Sequence, residues 1–340
     1  MAVKPKLEVR QYTGDGKKDY ALFRADRPKP ICAGITQDHA EHLRIIVGRM
    51  EDIPETINEE VIEIAIDKFN EKYEDMTLTP DGEFIIATTG FDRMKGDSSE
   101  WDGFNTLMVW PVGKPDEVKV VSPSASGGVT SSVSLRKKIS QALITPDFPE
   151  GVPYFKVESV AAIPDSKLLF GIRELGVRYD KFVYSFKIVT ASYRIEGGEL
   201  FFTSDFELSY DFDTQSSSQG RQTTALSSIE YDKYHDRLYM LTSYETEESD
   251  EGLGGFLWTL PLCDLRDSKA PKLVTKKSGD PLLFAHKAEA VTVLSAGLLL
   301  VLHDDDRVLG REIVKNPETQ FSRKPHQAAY SLVSVIAAVK

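Results

Sequence analysis

The sequence predicts an all-β fold, a single β-propeller domain over residues 1–340 with five or six four-stranded blades. Three observations favour this fold: a charged motif that recurs at the head of apolar runs, turn signals inside those runs, and a scarcity of helix signals. The motif is Lys-x-Glu with a hydrophobic residue two positions later. Its copies span residues 72–76, 156–160 and 287–291, and an uncharged copy spans residues 225–229.

Each copy leads into a predicted β-hairpin. Its two apolar runs are separated by turn formers, such as Pro80-Asp81-Gly82 or Ser295-Ala296-Gly297, in which proline presets φ and glycine accepts a positive φ. A degenerate copy upstream, residues 33–36 and 43–47, has the hairpin spacing without the glutamate. Together these segments give five units, and the long interval between Glu74 and Glu158 leaves room for a sixth.

Further short apolar runs supply the outer strands of each unit. They span residues 61–66, 106–110, 118–121, 182–189, 199–202, 255–260 and 272–275. The terminal runs 7–13 and 330–339 also predict strands, and we expect them to share a blade, which removes an exposed sheet edge. Residues 134–143 predict a short helix, and residues 122–134 predict a flexible loop.

Composition and charge limit the classes of function. Hydrophobic residues make up 41% and charged residues 28% of the chain, as in globular proteins, and no apolar run is long enough to span a membrane. Cys32 and Cys263 are too few for a disulfide framework, which favours a reducing, cytoplasmic setting. The net charge of −12 disfavours nucleic acid and anionic membranes, so we expect a small ligand or a protein partner.

The repeat predicts a charged site at one end of the propeller. The first strand of each blade lines the central channel, so the heads of these strands meet at one channel mouth, beside hairpin ends such as Asp92-Arg93 and Arg173-Glu174. The predicted mouth residues are Glu74, Glu158, Ser227, Glu289, Lys72, Lys156, Lys287, Arg173 and Asp304.

Three interpretations of this set remain open. The lysines and arginines could pair with the glutamates, since residues two apart in a strand project to the same side. Glu74, Glu158 and Glu289 could instead bind a divalent cation such as calcium or magnesium, for which oxygen ligands are the norm. The cations could also bind an anionic ligand such as a phosphate ester. His286 and His303, close to the same mouth, are candidate general bases if there is catalysis.

Two segments, residues 286–290 with 298–304 and residues 171–175, resemble a bacterial propeller family of unknown function, itself similar to phytase-like and esterase-like propellers. Members of that family tend to carry Lys-x-Glu-Gly before a hairpin that ends in Asp. The present chain has Asp75, Ser159 and Ala290 in place of that glycine. The resemblance implies a site at the channel mouth without specifying a substrate.

The sequence therefore predicts a propeller that acts as a binding module for a small ligand or a protein partner. The alternative is a hydrolase of phosphate esters or lactones in which a metal held by the glutamates activates water. Whether the protein is an enzyme is left open by the sequence.

Overall fold

The computed structural model describes residues 73–126, 129–213, 224–245, 253–276, 278–284, 286–304 and 329–335, together with the strands of an N-terminal sheet. That sheet contains four strands: β1 (Asp19–Asp26), β2 (Lys29–Thr36), β3 (Arg44–Arg49) and β4 (Glu60–Glu63). Strand β1 pairs antiparallel with β2 and parallel with β3, and β4 pairs antiparallel with β3.

Four mainly antiparallel sheets follow along the chain, and we number them blades I to IV. Blade I consists of β5 (Tyr73–Leu78), β6 (Phe84–Thr89), β7 (Leu107–Pro111) and β8 (Lys119–Val120). The chain then forms a hairpin of β9 (Ser124–Ser126) and β10 (Val129–Ser131), and helix α1 (Ser134–Ala142). Short 3-10 helices, Asp102–Phe104 and Pro115–Glu117, lie in the connections of blade I.

Blade II has long inner strands. It consists of β11 (Tyr154–Ile163), β12 (Lys167–Arg178), β13 (Lys181–Glu196), β14 (Glu199–Phe202) and β15 (Glu207–Asp211). Strands β14 and β15 both pair with β13, at different parts of its length.

Blades III and IV complete the described chain. Blade III consists of β16 (Ala225–Asp232), β17 (Arg237–Glu245), β18 (Leu253–Pro261), β19 (Lys272–Leu273) and β20 (Leu283–Phe284), with helix α2 (Leu262–Arg266) after β18. Blade IV consists of β21 (Ala288–Ser295), β22 (Leu298–His303) and β23 (Ala329–Ser334).

The first strands of the blades are neighbours, which gives the arrangement of a propeller. Strand β11 contacts β5 and β16, and β16 contacts β21. Apolar side chains fill the spaces between blades: Val109 and Phe170 share a cluster between blades I and II, and Met240 and Trp258 share one with Leu169 between blades II and III. Trp258 of blade III thus packs between blades II and III. The fold is all-β and propeller-like, as predicted.

The predicted number of five or six blades is wrong: the described residues form four antiparallel blades. The degenerate upstream copy is not a hairpin, because β2 and β3 lie on opposite sides of β1 and do not pair with each other. The parallel pairing of β1 with β3 distinguishes the N-terminal sheet from the four antiparallel blades. Strand β2 of this sheet contacts the first strands of blades I and IV, β5 and β21.

Three smaller expectations concern the termini, a loop and a helix. Strand β23 pairs with β22, so the C-terminal run belongs to blade IV, but residues 7–13 lie outside the described residues and the shared blade stays a prediction. The predicted loop 122–134 contains the β9–β10 hairpin. The predicted helix is confirmed as α1. Among the helices that the structure describes, none has the length and apolar character needed to span a membrane.

Candidate site at the channel mouth

The motif residue, a glutamate in blades I, II and IV and a serine in blade III, lies at a β-bulge in each blade. The pairing between the first and second strands shifts register between Tyr73 and Asp75 in blade I and between Ala288 and Ala290 in blade IV. Equivalent shifts occur beside Glu158 and Ser227. A bulge leaves one residue unpaired and redirects its side chain. Four strands thus present their motif residue, Glu74, Glu158, Ser227 or Glu289, in the same irregular backbone setting.

Lys156 connects blades I and II through two ion pairs. Its Nζ lies 3.0 Å from Glu74 Oε1 of β5 and 2.9 Å from Glu158 Oε2 of its own strand. Gly90, after β6, leaves room for this contact, because a Cβ there would lie 3.0 Å from Glu74 Oε1. The ammonium therefore lies between two carboxylates of neighbouring blades.

Arg173 extends these contacts to blades III and IV. Its Nε lies 3.7 Å from Glu158 Oε1, and its Nη1 donates to Ser243 Oγ of β17 at 3.0 Å. Ser243 Oγ donates in turn to Glu289 Oε1 of β21 at 3.1 Å, and Lys287 Nζ lies 3.3 Å from the same oxygen. Ion pairs and hydrogen bonds thus run without interruption from Glu74 in blade I to Lys287 in blade IV. We call this set the mouth network.

The charges of the mouth network stabilise one another. Burial alone would lower the pKa of Lys156, but Glu158 and Glu74 raise it well above its ordinary value. Burial alone would likewise raise the pKa of Glu158, but Lys156 and Arg173 hold it below its ordinary value. The pKa of Arg173 is raised, because Glu158 and Glu289 outweigh the effect of burial. Lys156, Glu158 and Arg173 are therefore ionised at neutral pH.

The remaining predicted mouth residues differ in position. Ser227 Oγ donates to the carbonyl of Ala288 at 2.8 Å and so ties blade III to blade IV. Asp304 is buried directly after β22, and its backbone N–H donates to the carbonyl of Lys287 at 3.0 Å. Lys72 lies outside the described residues. His286 and His303 are both buried, with ring centroids 5.4 Å apart.

The geometry favours the ion-pair interpretation of the three glutamates over the metal interpretation. Within the part of the chain that the structure describes, no three His, Cys, Asp or Glu side chains are close enough to hold a metal ion. Glu74 and Glu158 both contact the ammonium of Lys156, and Glu289 contacts Lys287. A metal that took these carboxylates as ligands would have to displace those ammonium groups.

Tyr154 is a functional candidate that the sequence analysis missed. Its hydroxyl lies 3.0 Å from Asp92 Oδ1 and 2.6 Å from Glu174 Oε2. Asp92 and Glu174 are hairpin ends that the repeat had placed near the mouth, but Tyr154 precedes the motif of blade II. Asp92 is 62 residues away from Tyr154 and belongs to the connection of another blade, so no local pattern marks that contact.

Side chains after the motif glutamate link neighbouring inner strands, which the sequence analysis also missed. Asp75 Oδ2 accepts from Val160 N–H at 3.1 Å, and Thr77 Oγ1 accepts from Ala162 N–H at 3.1 Å. Blades III and IV repeat the pattern, with Ser228 and Glu230 accepting from the next inner strand. These acceptors satisfy buried backbone donors at the unpaired edges of the inner strands. Asp75 therefore has a structural role at the position where the resembled family has glycine.

Comparison with known proteins finds similarity among solved structures only. No family model and no curated protein matches the chain. A luciferin-regenerating enzyme is 11% identical over 99% of this chain and 82% of its own, with a TM-score of 0.40. A DUF4221 family member from Bacteroides vulgatus is 9% identical over 98% of this chain and 100% of its own, with a TM-score of 0.38. The Dos1 propeller is 10% identical over 68% and 56%, with a TM-score of 0.28.

These similarities are too weak to assign the fold, which we therefore assign from the sheets of the structure. The propeller-like arrangement follows from the strand order within the blades and from the contacts between inner strands. The predicted resemblance to phytase-like propellers has no support from a matching family.

Proposed function

We propose that this protein is a β-propeller binding module whose channel mouth takes a small polar ligand carrying charges of both signs. The observation that carries the proposal is the mouth network, an unbroken series of charged groups supplied by four blades. Residues 1–340 form one propeller domain in this proposal, and the protein acts in the cytoplasm.

The mouth network combines rigidity with access to solvent. The side chains of Glu158 and Arg173 are 5% and 6% exposed, whereas those of Lys156 and Glu74 are 17% and 14% exposed. The buried groups hold the geometry, and the more exposed groups can exchange a contact within the network for a contact with a ligand. A ligand with both a cationic and an anionic group fits best, because it can replace both partners of such an ion pair.

Binding directed by charge also agrees with the composition of the chain. The net charge of −12 disfavours nucleic acid and anionic membranes as partners, and a protein partner would have to place a charged side chain in the mouth. The metal-dependent hydrolase of phosphate esters or lactones has less support, because Lys156 and Lys287 contact the carboxylates that would hold the metal.

Calorimetric titration with L-arginine, inorganic phosphate, calcium and magnesium tests this proposal. We expect L-arginine to bind the wild-type protein, and Glu158→Gln to weaken that binding at least about tenfold, the effect of about 1.4 kcal/mol. Glu289→Gln is a second variant for the opposite end of the network. The matched control is Glu117→Gln, which removes a carboxylate from an exposed pair with Lys114 and should leave binding unchanged.

The outcomes separate the alternatives. L-arginine that does not bind, or that binds equally well to both mouth variants, contradicts the proposal. Binding of phosphate but not of L-arginine contradicts the requirement for two charges. Binding of calcium or magnesium that is lost in Glu158→Gln would replace the proposal with the metal-dependent hydrolase.

A further inference from the structure

A cavity lies at the opposite end of the channel from the mouth network. It is lined by residues near the ends of all four first strands: Leu78 of β5, Ala162 of β11, Glu230 of β16 and Val293 of β21. The motif residues lie near the beginnings of these strands, and a strand rises about 3.3 Å per residue, so Glu230 lies about 10 Å beyond Ser227 along β16. We call this the axial cavity. It has about 560 Å³ of empty space, part of which is open to solvent.

Glu230 is partly exposed in the axial cavity and uses only one carboxylate oxygen for contacts within the protein. Its Oε1 accepts from Val293 N–H at 3.2 Å and from Thr292 Oγ1 at 3.1 Å. Among the residues that the structure describes, none donates a hydrogen bond to Oε2 and none forms an ion pair with Glu230. The negative charge of this side chain therefore has no cationic partner within the described chain.

The carboxylate of Glu230 exceeds what the contact between blades requires. Thr77 occupies the equivalent position in blade I, three residues after the motif glutamate, and its hydroxyl accepts from Ala162 N–H at 3.1 Å. A threonine hydroxyl can thus satisfy the kind of donor that Glu230 satisfies in blade III. Asp75, a buried acid of β5, accepts backbone hydrogen bonds at both of its oxygens. The second oxygen of Glu230 is available to a ligand instead.

The other walls of the axial cavity suit the body of a small organic cation. Apolar groups of Leu78, Pro80 and Val293 line it, and Tyr234, which also lines it, is 42% exposed. Lys233 is the one cationic residue in the described lining, and its Nζ lies 5.4 Å from the centroid of the Tyr234 ring. A carboxylate that is partly removed from water gains most from a cation that reaches it.

We propose that the axial cavity binds a small ligand with a primary ammonium group, which donates a hydrogen bond to Oε2 of Glu230 while its apolar chain contacts the other walls. Hydrogen bonds between an ammonium and a carboxylate are about twice as strong as those between neutral groups. This site is separate from the mouth network, and it does not depend on the function proposed for the mouth.

The ligand requires the ionised form of Glu230, so its binding depends on pH. Burial raises the pKa of Glu230 to about 7, and the carboxylate therefore predominates at pH 8 and the neutral acid at pH 6. The charged groups that act on Glu230 are Asp232 and Lys233 of its own blade and Asp75 of blade I, and Asp232 in turn contacts His235.

Calorimetric titration with n-butylammonium chloride at pH 8 tests this proposal. We expect n-butylammonium to bind and n-butanol, its neutral counterpart, not to bind. Glu230→Gln keeps an acceptor oxygen for Val293 and Thr292 but removes the charge, and it should weaken binding at least about tenfold. Glu117→Gln, which removes a carboxylate from an exposed pair, is the control and should leave binding unchanged. Lowering the pH to 6 should weaken binding to the wild-type protein, and this measurement serves if Glu230→Gln does not fold.

Methyl NMR of the same titration locates the ligand. The signals of Leu78, Ala162 and Val293 should shift, whereas that of Ala288, at the mouth end of β21, should not. The proposal is overturned if n-butylammonium does not bind, if it binds Glu230→Gln or n-butanol binds the wild type equally well, or if only the Ala288 signal shifts. Binding that appears only in Lys233→Met would also overturn it, because Lys233 would then occupy the carboxylate in the wild-type protein.

Discussion

Lys156 Nζ lies 3.0 Å from Glu74 Oε1, across the boundary between blades I and II. The same ammonium lies 2.9 Å from Glu158, its neighbour in the motif. One residue therefore satisfies the charge of its own blade and that of the preceding blade. The lysine of the motif in blade II thus contacts the glutamate of the motif in blade I, and this contact joins the two blades.

Removal of the Lys156 ammonium should destabilise the protein strongly. Lys156→Met leaves Glu74 and Glu158 close together without a shared cation, and loss of one partner of a buried pair costs about 3–5 kcal/mol. Urea unfolding followed by circular dichroism measures the loss. Lys114→Met, at an exposed pair, is the control and should leave the stability close to that of the wild-type protein. Equal effects of the two substitutions would show that Lys156 does not bridge the blades.

The stability of the protein should depend on the protonation of Glu230. Burial raises the pKa of this acid from 4.5 to about 7, and Val293 N–H and Thr292 Oγ1 donate to its Oε1. A group with a raised pKa in the folded state stabilises that state at low pH, and this contribution is lost as pH rises from about 4.5 through about 7. We expect the free energy of unfolding to decrease by up to about 3 kcal/mol over this pH interval because of Glu230.

Glu230→Gln isolates that contribution. The amide does not ionise, so unfolding of the variant, measured from pH 5 to pH 8, should lack the part of the pH dependence that Glu230 supplies. Glu207→Gln, which changes an exposed acid, should retain the wild-type profile. A Glu230→Gln profile that parallels the wild type would contradict the raised pKa of Glu230.

Gly171 should not tolerate a side chain. A Cβ there would lie 2.0 Å from Ser159 Oγ and 2.8 Å from Leu226 Cδ2 of blade III. Gly171→Ala should therefore destabilise the protein by about 1–3 kcal/mol, as overpacked cores do. Thermal unfolding measures the effect, and Ser159→Ala in the same chain should restore part of the stability. Wild-type stability of Gly171→Ala would show that blades II and III pack less closely.

Local signals sufficed to predict most of the inner hairpins and the groups at their heads. Pro80-Asp81-Gly82 does form a turn, with Gly82 at φ 74°, and Lys156 pairs with Glu158 as their spacing predicted. The bulge at each motif glutamate could not be predicted, because a bulge is a property of the register between two strands. The blade count failed for a related reason: two apolar runs predict strands but do not show that a third strand, β1, lies between them.

The contacts between blades were the least predictable part of the site. Arg173 reaches Glu289 through the hydroxyl of Ser243, three residues on three different blades. Tyr154 lies outside the motif: the pairing of β11 with β12 brings Glu174 to it within blade II, and only the packing of blade I against blade II brings Asp92 to it. Such contacts depend on tertiary packing, for which the sequence of a single blade contains no signal.

The central claim is that repeated motif residues from different blades meet at one channel mouth. A double-mutant cycle between Glu74 and Lys156 tests it most directly, with Glu74→Gln, Lys156→Met and the double variant compared by urea unfolding. We predict a coupling energy of about 1–3 kcal/mol, as for residues in one ion-pair network. A coupling energy within about 0.3 kcal/mol of zero would show that the two residues do not interact and would contradict the account.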